Sequence, residues 1–148
     1  MQTQPSPVVL LVPLDGSEAA GRALRYAMRV AVRERHTRLH LLTVHPAPIV
    51  YGEVQVYMGR EKAAAAATSH DAAVLRDAEA ALTGSGIEYV AEALEGNAAE
   101  VIARRAVELG CEQIIMGTRG LGRVGAMLLG SVTTAVIQHA PCPVTLIR

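Results

Sequence analysis

The sequence has no tryptophan and no phenylalanine, and only four tyrosines in 148 residues. A hydrophobic fraction of 51% must therefore be carried by Val, Leu, Ile, Ala and Met, and an aliphatic core is expected. Excess charge is lacking as well. Fourteen basic residues balance fourteen acidic ones, so no global field steers the chain to nucleic acid or to an anionic membrane. Cysteine is limited to Cys111 and Cys142, without CxxC or Cys/His ligand spacing. The pair is read as reduced thiols of a cytoplasmic protein, with pairing between them left open. No apolar run approaches the roughly 20 residues that a membrane span needs. The N-terminal Met-Gln-Thr-Gln-Pro-Ser-Pro has neither the basic nor the apolar region of a signal peptide. The length fits one domain over 1–148, with a loose tail over 1–7 and enough chain to bury a sizeable core.

What is present is an alternation of short apolar runs with helical periodicity. Val8 to Leu14 is nearly all aliphatic, the pattern of a strand covered on both faces. It ends at Asp15-Gly16-Ser17, a turn with Ser17 as N-cap, and Ala20, Ala23, Leu24, Ala27 and Ala31 then repeat at helical spacing. Arg22, Arg25, Arg29 and Arg33 form a second stripe, read as a solvated face in preference to a nucleic-acid or membrane patch. Leu39 to Val44 is the second strand. A loop from His45 to about Gly59 carries Tyr51 and Tyr57, which either cover a ligand or close over the core. Arg60 to Leu82, rich in alanine, is a long helix ended by Thr83-Gly84-Ser85-Gly86; His70 within it reads as a surface histidine. Ile87 to Leu94 is the third strand, and Asn97 with Glu100 occupies capping-box positions before a helix that stops at Gly110. Ile114 to Met116, Ser131 to His139 and Pro143 to Ile147 complete the pattern as strand, helix and strand.

Strands separated by helices run parallel with right-handed crossovers, which predicts an open, doubly wound α/β sheet. Ligands of such sheets bind at the carboxyl ends of the strands, beside the topological switch point. Asp15, Val44 and Met116-Gly117 end three strands and should converge there. Between Met116 and Ser131 lie Gly117, Gly120, Gly122, Gly125 and Gly130. Glycines let a loop turn its N–H groups inward, and a following helix start adds unpaired donors and the positive end of a dipole. That is anion-site chemistry.

A Walker A motif is absent, and the only lysine is Lys62. Gly120-Leu-Gly122-Arg-Val-Gly125 matches GxGxxG but lies far from the first βα turn, and no acid follows Glu112, so a dinucleotide dehydrogenase is not indicated. The same lack leaves Arg119, Arg123 and Arg148 without local acids, as phosphate partners or as ordinary loop charges. Asp15 admits three readings: a base or metal ligand, a turn residue, or a carboxylate accepting bonds from a ribose or base edge. His45, His70 and His139 stand scattered, none beside a nucleophile, and no metal cluster is evident.

These residues resemble the universal stress protein family over nearly the whole chain. Its motif Gly-x2-Gly-x9-Gly-(Ser/Thr) is met by Gly117, Gly120, Gly130 and Ser131. Val-Pro-Leu-Asp15-Gly-Ser, Gly96-Asn-Ala-Ala-Glu and His139-Ala-Pro-Cys-Pro-Val support it. The resemblance implies a flavodoxin-like, Rossmann-like sheet of the adenine nucleotide alpha hydrolase type, with five parallel strands in the order 3-2-1-4-5. It also implies a homodimer through the C-terminal strand, a role in stress response or signalling, and ATP binding, with Mg or Mn and with AMP or ADP as alternatives. Carried over by position, Pro13 and Asp15 lie near adenine and ribose, Val44 meets adenine through its backbone, and Met116 lines the pocket. Gly117 and Gly120 wrap ribose and phosphates, and Gly130, Ser131 and Val132 hold phosphate at the helix start. Leu14, Arg119, Gly122 and Thr133 complete the candidate set. Two other outcomes stay open: a regulatory dimer of the same fold that binds no nucleotide, and a slow ATPase or phosphotransferase.

Overall fold

The structure, a computed structural model of the chain, describes residues 6–47, 56–118 and 129–148, with the backbone alone at 56–61, 63 and 64. Strand β1 (Val8–Pro13) leads through α1 (Glu18–Arg33) to β2 (Thr37–His45). Helix α2 (Val56–Leu82), β3 (Glu88–Glu95), α3 (Ala98–Leu109), β4 (Gln113–Gly117), α4 (Ser131–His139) and β5 (Val144–Ile147) follow. The strands form one sheet in the order β3-β2-β1-β4-β5, and every pairing is parallel. This is the strand order expected.

Strand alternation sorts the side chains of β1 to two faces. Leu10 and Val12 join Ala20, Ala23, Leu24 and Ala27 of α1 and Val74, Ala78 and Leu82 of α2. Val9 and Leu11 join Ala99, Ile102 and Ala106 of α3 and Val136 of α4. Both layers are aliphatic, and β1 is buried on both sides because it lies at the centre of the sheet. Small residues on α1 let that helix lie close to the strands. Burying such apolar area is the main favourable term in the fold, at about 25 cal/mol per Å2 removed from water.

One boundary differs from expectation. Helix α2 starts at Val56, within the stretch expected to be loop as far as Gly59. A glycine costs a helix interior only about 1 kcal/mol relative to alanine, so Gly59 is a weak stop when helix formers follow it. The other terminators act as read: Gly84 and Gly86 adopt positive φ after α2, and Gly110 takes a left-handed φ of 55° at the end of α3.

After β1 the chain crosses to β2 on one side, and β4 lies on the other side of β1. Crossovers therefore diverge between β1 and β4, and a crevice opens at their carboxyl ends.

Candidate functional site

Three helix starts and three strand ends meet at this crevice. The end of β1 is tied to its neighbour by Leu14 N–H, which donates to Leu42 O at 2.8 Å. Gly16 makes the next turn at φ +83°, a conformation that side chains rarely adopt. Asp15 Oδ1 accepts from Ser17 N–H at 2.9 Å, and Ser17 Oγ accepts from Ala20 N–H at 3.1 Å. Helix α1 thus satisfies its own first turn. Helix α3 does the same: Asn97 Oδ1 accepts from Glu100 N–H at 3.1 Å, while Gly96 N–H reaches back to His45 O at the end of β2.

Helix α4 is built otherwise. Its N-cap is Gly130, in extended backbone at φ −61° and ψ 156°, and no side chain caps it. Thr134 N–H is the first to find an intrahelical acceptor, on Gly130 O at 3.0 Å. The N–H groups of Ser131, Val132 and Thr133 precede that first helical bond, so a helix start offers them outward. Gly130 needs no left-handed backbone. What glycine supplies here is the lack of a capping side chain.

Gly117, at the end of β4, is explained by packing. A Cβ built on it would lie 2.4 Å from Ala19 C, 2.6 Å from Ala19 O and 2.7 Å from Ala20 N. The first turn of α1 rests on this strand end, and only a residue without a side chain permits that approach.

A cavity of about 200 Å3 opens between these elements, lined by Pro13, Leu14, Asp15, Val44, Met116, Gly117, Gly130, Val132 and Thr133 from the expected set. Ser131 begins α4 beside it, exposed and outside the lining. Arg119, Gly120 and Gly122 lie outside the described residues, as do Gly125, Arg123 and Tyr51, and the side chain of Tyr57 is likewise undescribed. Ser17, Ala20, Leu42, Ala98 and Ile102 also line the cavity. Of these, Ser17 is the helix cap expected from the sequence, and the other four lie on the strand and helices expected there. Their signal was positional: each stands within a few residues of a strand end or helix start at the switch point. Leu42, Val44, Ile102 and Met116 make apolar walls, and Asp15, Ser17 and Thr133 bring the polar side chains. Such a cleft accommodates a molecule with a flat apolar part and an anionic tail, the tail directed at the start of α4.

The histidines are less scattered than the sequence indicated. Helix α2 runs back over the strand ends, so that His70 Nε2 lies 3.3 Å from Asp15 O. His45 Nδ1 lies 2.5 Å from Asp71 Oδ2, and its Nε2 lies 3.7 Å from Glu95 Oε2. None of the three histidines at 45, 70 and 139 lines the crevice. Further along the sheet, Glu92 accepts from His40 at 2.6 Å and from Arg105 at 2.9 Å. Burial pushes the Glu92 carboxyl up, but the bonds from Arg105 and His40, with their charges, outweigh it and hold the group below its ordinary value of 4.5. Among the described residues no group of three or more His, Cys, Asp or Glu could hold a metal ion.

A family model described as "Universal stress protein family" matches residues 9–148. A universal stress protein of Thermus aquaticus is 38% identical over 144 residues, covering 94% of this chain and 97% of the relative. The structure of universal stress protein UspA from Lactobacillus plantarum is similar with a TM-score of 0.80 at 26% identity, covering 98% of this chain and all of that one (100%). The universal stress protein from Archaeoglobus fulgidus in complex with dAMP is similar with a TM-score of 0.62 at 25% identity, covering 97% and 98% of the two chains.

Proposed function

The chain belongs to the universal stress protein family, and from that premise we propose that it binds ATP in the crevice between β1 and β4 as part of a stress response in the cytoplasm. One observation carries the proposal: the uncapped start of α4 opens onto the same cavity as the apolar ends of β1, β2 and β4. Adenine packs between Val44, Leu42 and Met116, the ribose lies toward Asp15, and the phosphates take the N–H groups at Ser131, Val132 and Thr133. The dAMP bound by the Archaeoglobus relative supports an adenine nucleotide as the ligand class. Gly120 belongs to the motif by spacing, Arg119 and Gly122 lie at positions between its fixed residues, and all three are assigned to the phosphates.

A divalent cation accompanies the nucleotide through its phosphates. Asp15 is the one carboxylate among the described cavity residues, and its Oδ1 already accepts from Ser17 N–H. Among the described residues that line the cavity, Asp15 is the one candidate for a base, and the reading proposed is binding. Two copies associate through β5, an edge strand with half-buried residues. Sedimentation at micromolar concentration checks this by giving the mass of two chains.

Calorimetry with ATP, ADP and AMP tests the nucleotide. Heat on titration and a rise in melting temperature are expected with ATP; neither signal with any of the three overturns the proposal. Gly130→Val places a branched side chain at the phosphate end and is expected to weaken ATP binding by tenfold or more. Nucleotide extracted from freshly purified protein identifies the preferred member of the series.

A further inference from the structure

The two cysteines, 31 positions apart in sequence, meet at the end of the sheet opposite the crevice, with Cys111 Sγ 3.5 Å from Cys142 Sγ. Each is held there by its backbone. Cys111 N–H donates to Ala106 O at 3.1 Å, and Glu112 N–H beside it donates to Val9 O at 2.9 Å. Cys142 lies between Pro141 and Pro143, whose rings fix φ, and Pro143 O accepts from Ile114 N–H at 3.0 Å. Both sulfurs sit in the apolar layer under α3 and α4, Cys111 buried and Cys142 half-buried. Closing a bond of about 2.05 Å needs a sulfur displacement of about 1.5 Å, within reach of small side-chain rotations at the turns that lead into β4 and β5.

We propose that Cys111 and Cys142 form a redox-modification site, a dithiol that a hydroperoxide converts to an intramolecular disulfide. The roles follow from accessibility. Cys142 is the more exposed residue of the two. Burial first, and then the bond from Cys142, pushes the Cys111 thiol up to about 12, so it stays protonated at neutral pH and is the poorer first nucleophile. Cys142 gives up its proton, the thiolate attacks the peroxide oxygen, an S–O bond forms, the O–O bond breaks, and the released alkoxide or hydroxide takes up that proton. Cys111 sulfur then attacks Cys142 sulfur. The S–S bond forms, the S–O bond breaks, and hydroxide leaves with the Cys111 proton as water. Two thiols and one hydroperoxide give one disulfide, one alcohol or water, and one water.

The residues between the cysteines include β4, the glycine-rich stretch and α4. The disulfide therefore closes a covalent ring around the chain segment that carries the phosphate end of the crevice. It fastens the base of β4 to the turn after α4. This holds whether or not a nucleotide binds.

The test is treatment of the reduced full-length protein with one equivalent of hydrogen peroxide. The expected result is loss of both thiols to alkylation, a monomer mass lower by two hydrogens, and a melting temperature higher by about 5–10 °C, all reversed by dithiothreitol. Cys111→Ser should stop at Cys142 sulfenic acid, trapped by dimedone. Cys142→Ser should leave Cys111 as thiol at the same dose. Thiols that survive the peroxide, independent oxygen gain at both sulfurs, or disulfides between two chains would each overturn the proposal. Melting curves of both variants establish that they are folded, and the mass change in the unaltered chain stands without them.

Discussion

Helices α1 and α3 begin at the carboxyl ends of the strands, as α4 does, yet their first turns are satisfied differently. Ser17 and Asn97 fold their own oxygens onto the N–H groups that a helix start leaves without partners. Gly130 has nothing to fold. A side-chain oxygen at an N-cap occupies the donor position that an external anion would need, so a self-capped start serves stability and an uncapped one is available to a ligand. On the proposed function, the fold uses one physical feature for two purposes, and a single side chain decides between them. Gly117 adds a second contrast: its missing side chain admits the backbone of α1, while that of Gly130 leaves donors open.

The largest expected effect comes from Gly117. Gly117→Ala places a methyl group within 2.7 Å of three α1 backbone atoms, and backbone cannot rotate away as a side chain would. A loss of about 2–3 kcal/mol in urea unfolding is expected. An unchanged midpoint would show that the close approach is not required. Gly130→Asp is next, because it gives α4 the kind of cap that α1 and α3 have. ATP affinity should fall by at least tenfold, about 1.4 kcal/mol, while stability holds or rises by a few tenths of a kcal/mol. Retained affinity would dissolve the distinction between the two kinds of helix start.

Asn97→Ala makes the opposite change at α3. It should cost about 1 kcal/mol in stability with ATP affinity unaltered; a large affinity loss would mean that α3 also serves the ligand. The smallest effect concerns the His40–Glu92–Arg105 network, remote from the helix starts. Glu92 is held below its ordinary 4.5, so its contribution is complete above that value and disappears as pH falls through the folded-state value. Acid titration followed by circular dichroism should therefore show a shallower loss below about pH 4.5 in Glu92→Gln than in the unaltered chain. Identical slopes would remove Glu92 from the acid response.

Much of this was legible beforehand, for local reasons. The aliphatic run from Val8 implied a strand buried on both faces, and Ser17, Asn97 and Gly110 marked helix ends because caps and left-handed glycines act over a few residues. The start of α2 was not legible, since Gly59 is a weak signal against the helix that follows. The pairing of His45 with Asp71 was hidden for another reason: twenty-six positions separate them, and only the passage of α2 over the strand ends brings them together. The lining by Ala98 and Ile102 was likewise invisible, because periodicity shows that a residue faces inward but not what it faces.

The order of elements, their parallel arrangement and the glycine spacing from Gly117 to Gly130 are properties of the sequence alone, since they rest on alternation, propensity and positions along the chain. Tertiary structure decided what those glycines do. Gly117 is a packing contact because α1 comes to lie against it, and Gly130 is an open helix start because the crevice lies before it. The meeting of Cys111 with Cys142 has the same origin. Contacts between residues distant in sequence are fixed by how layers stack, and no local pattern encodes the stacking.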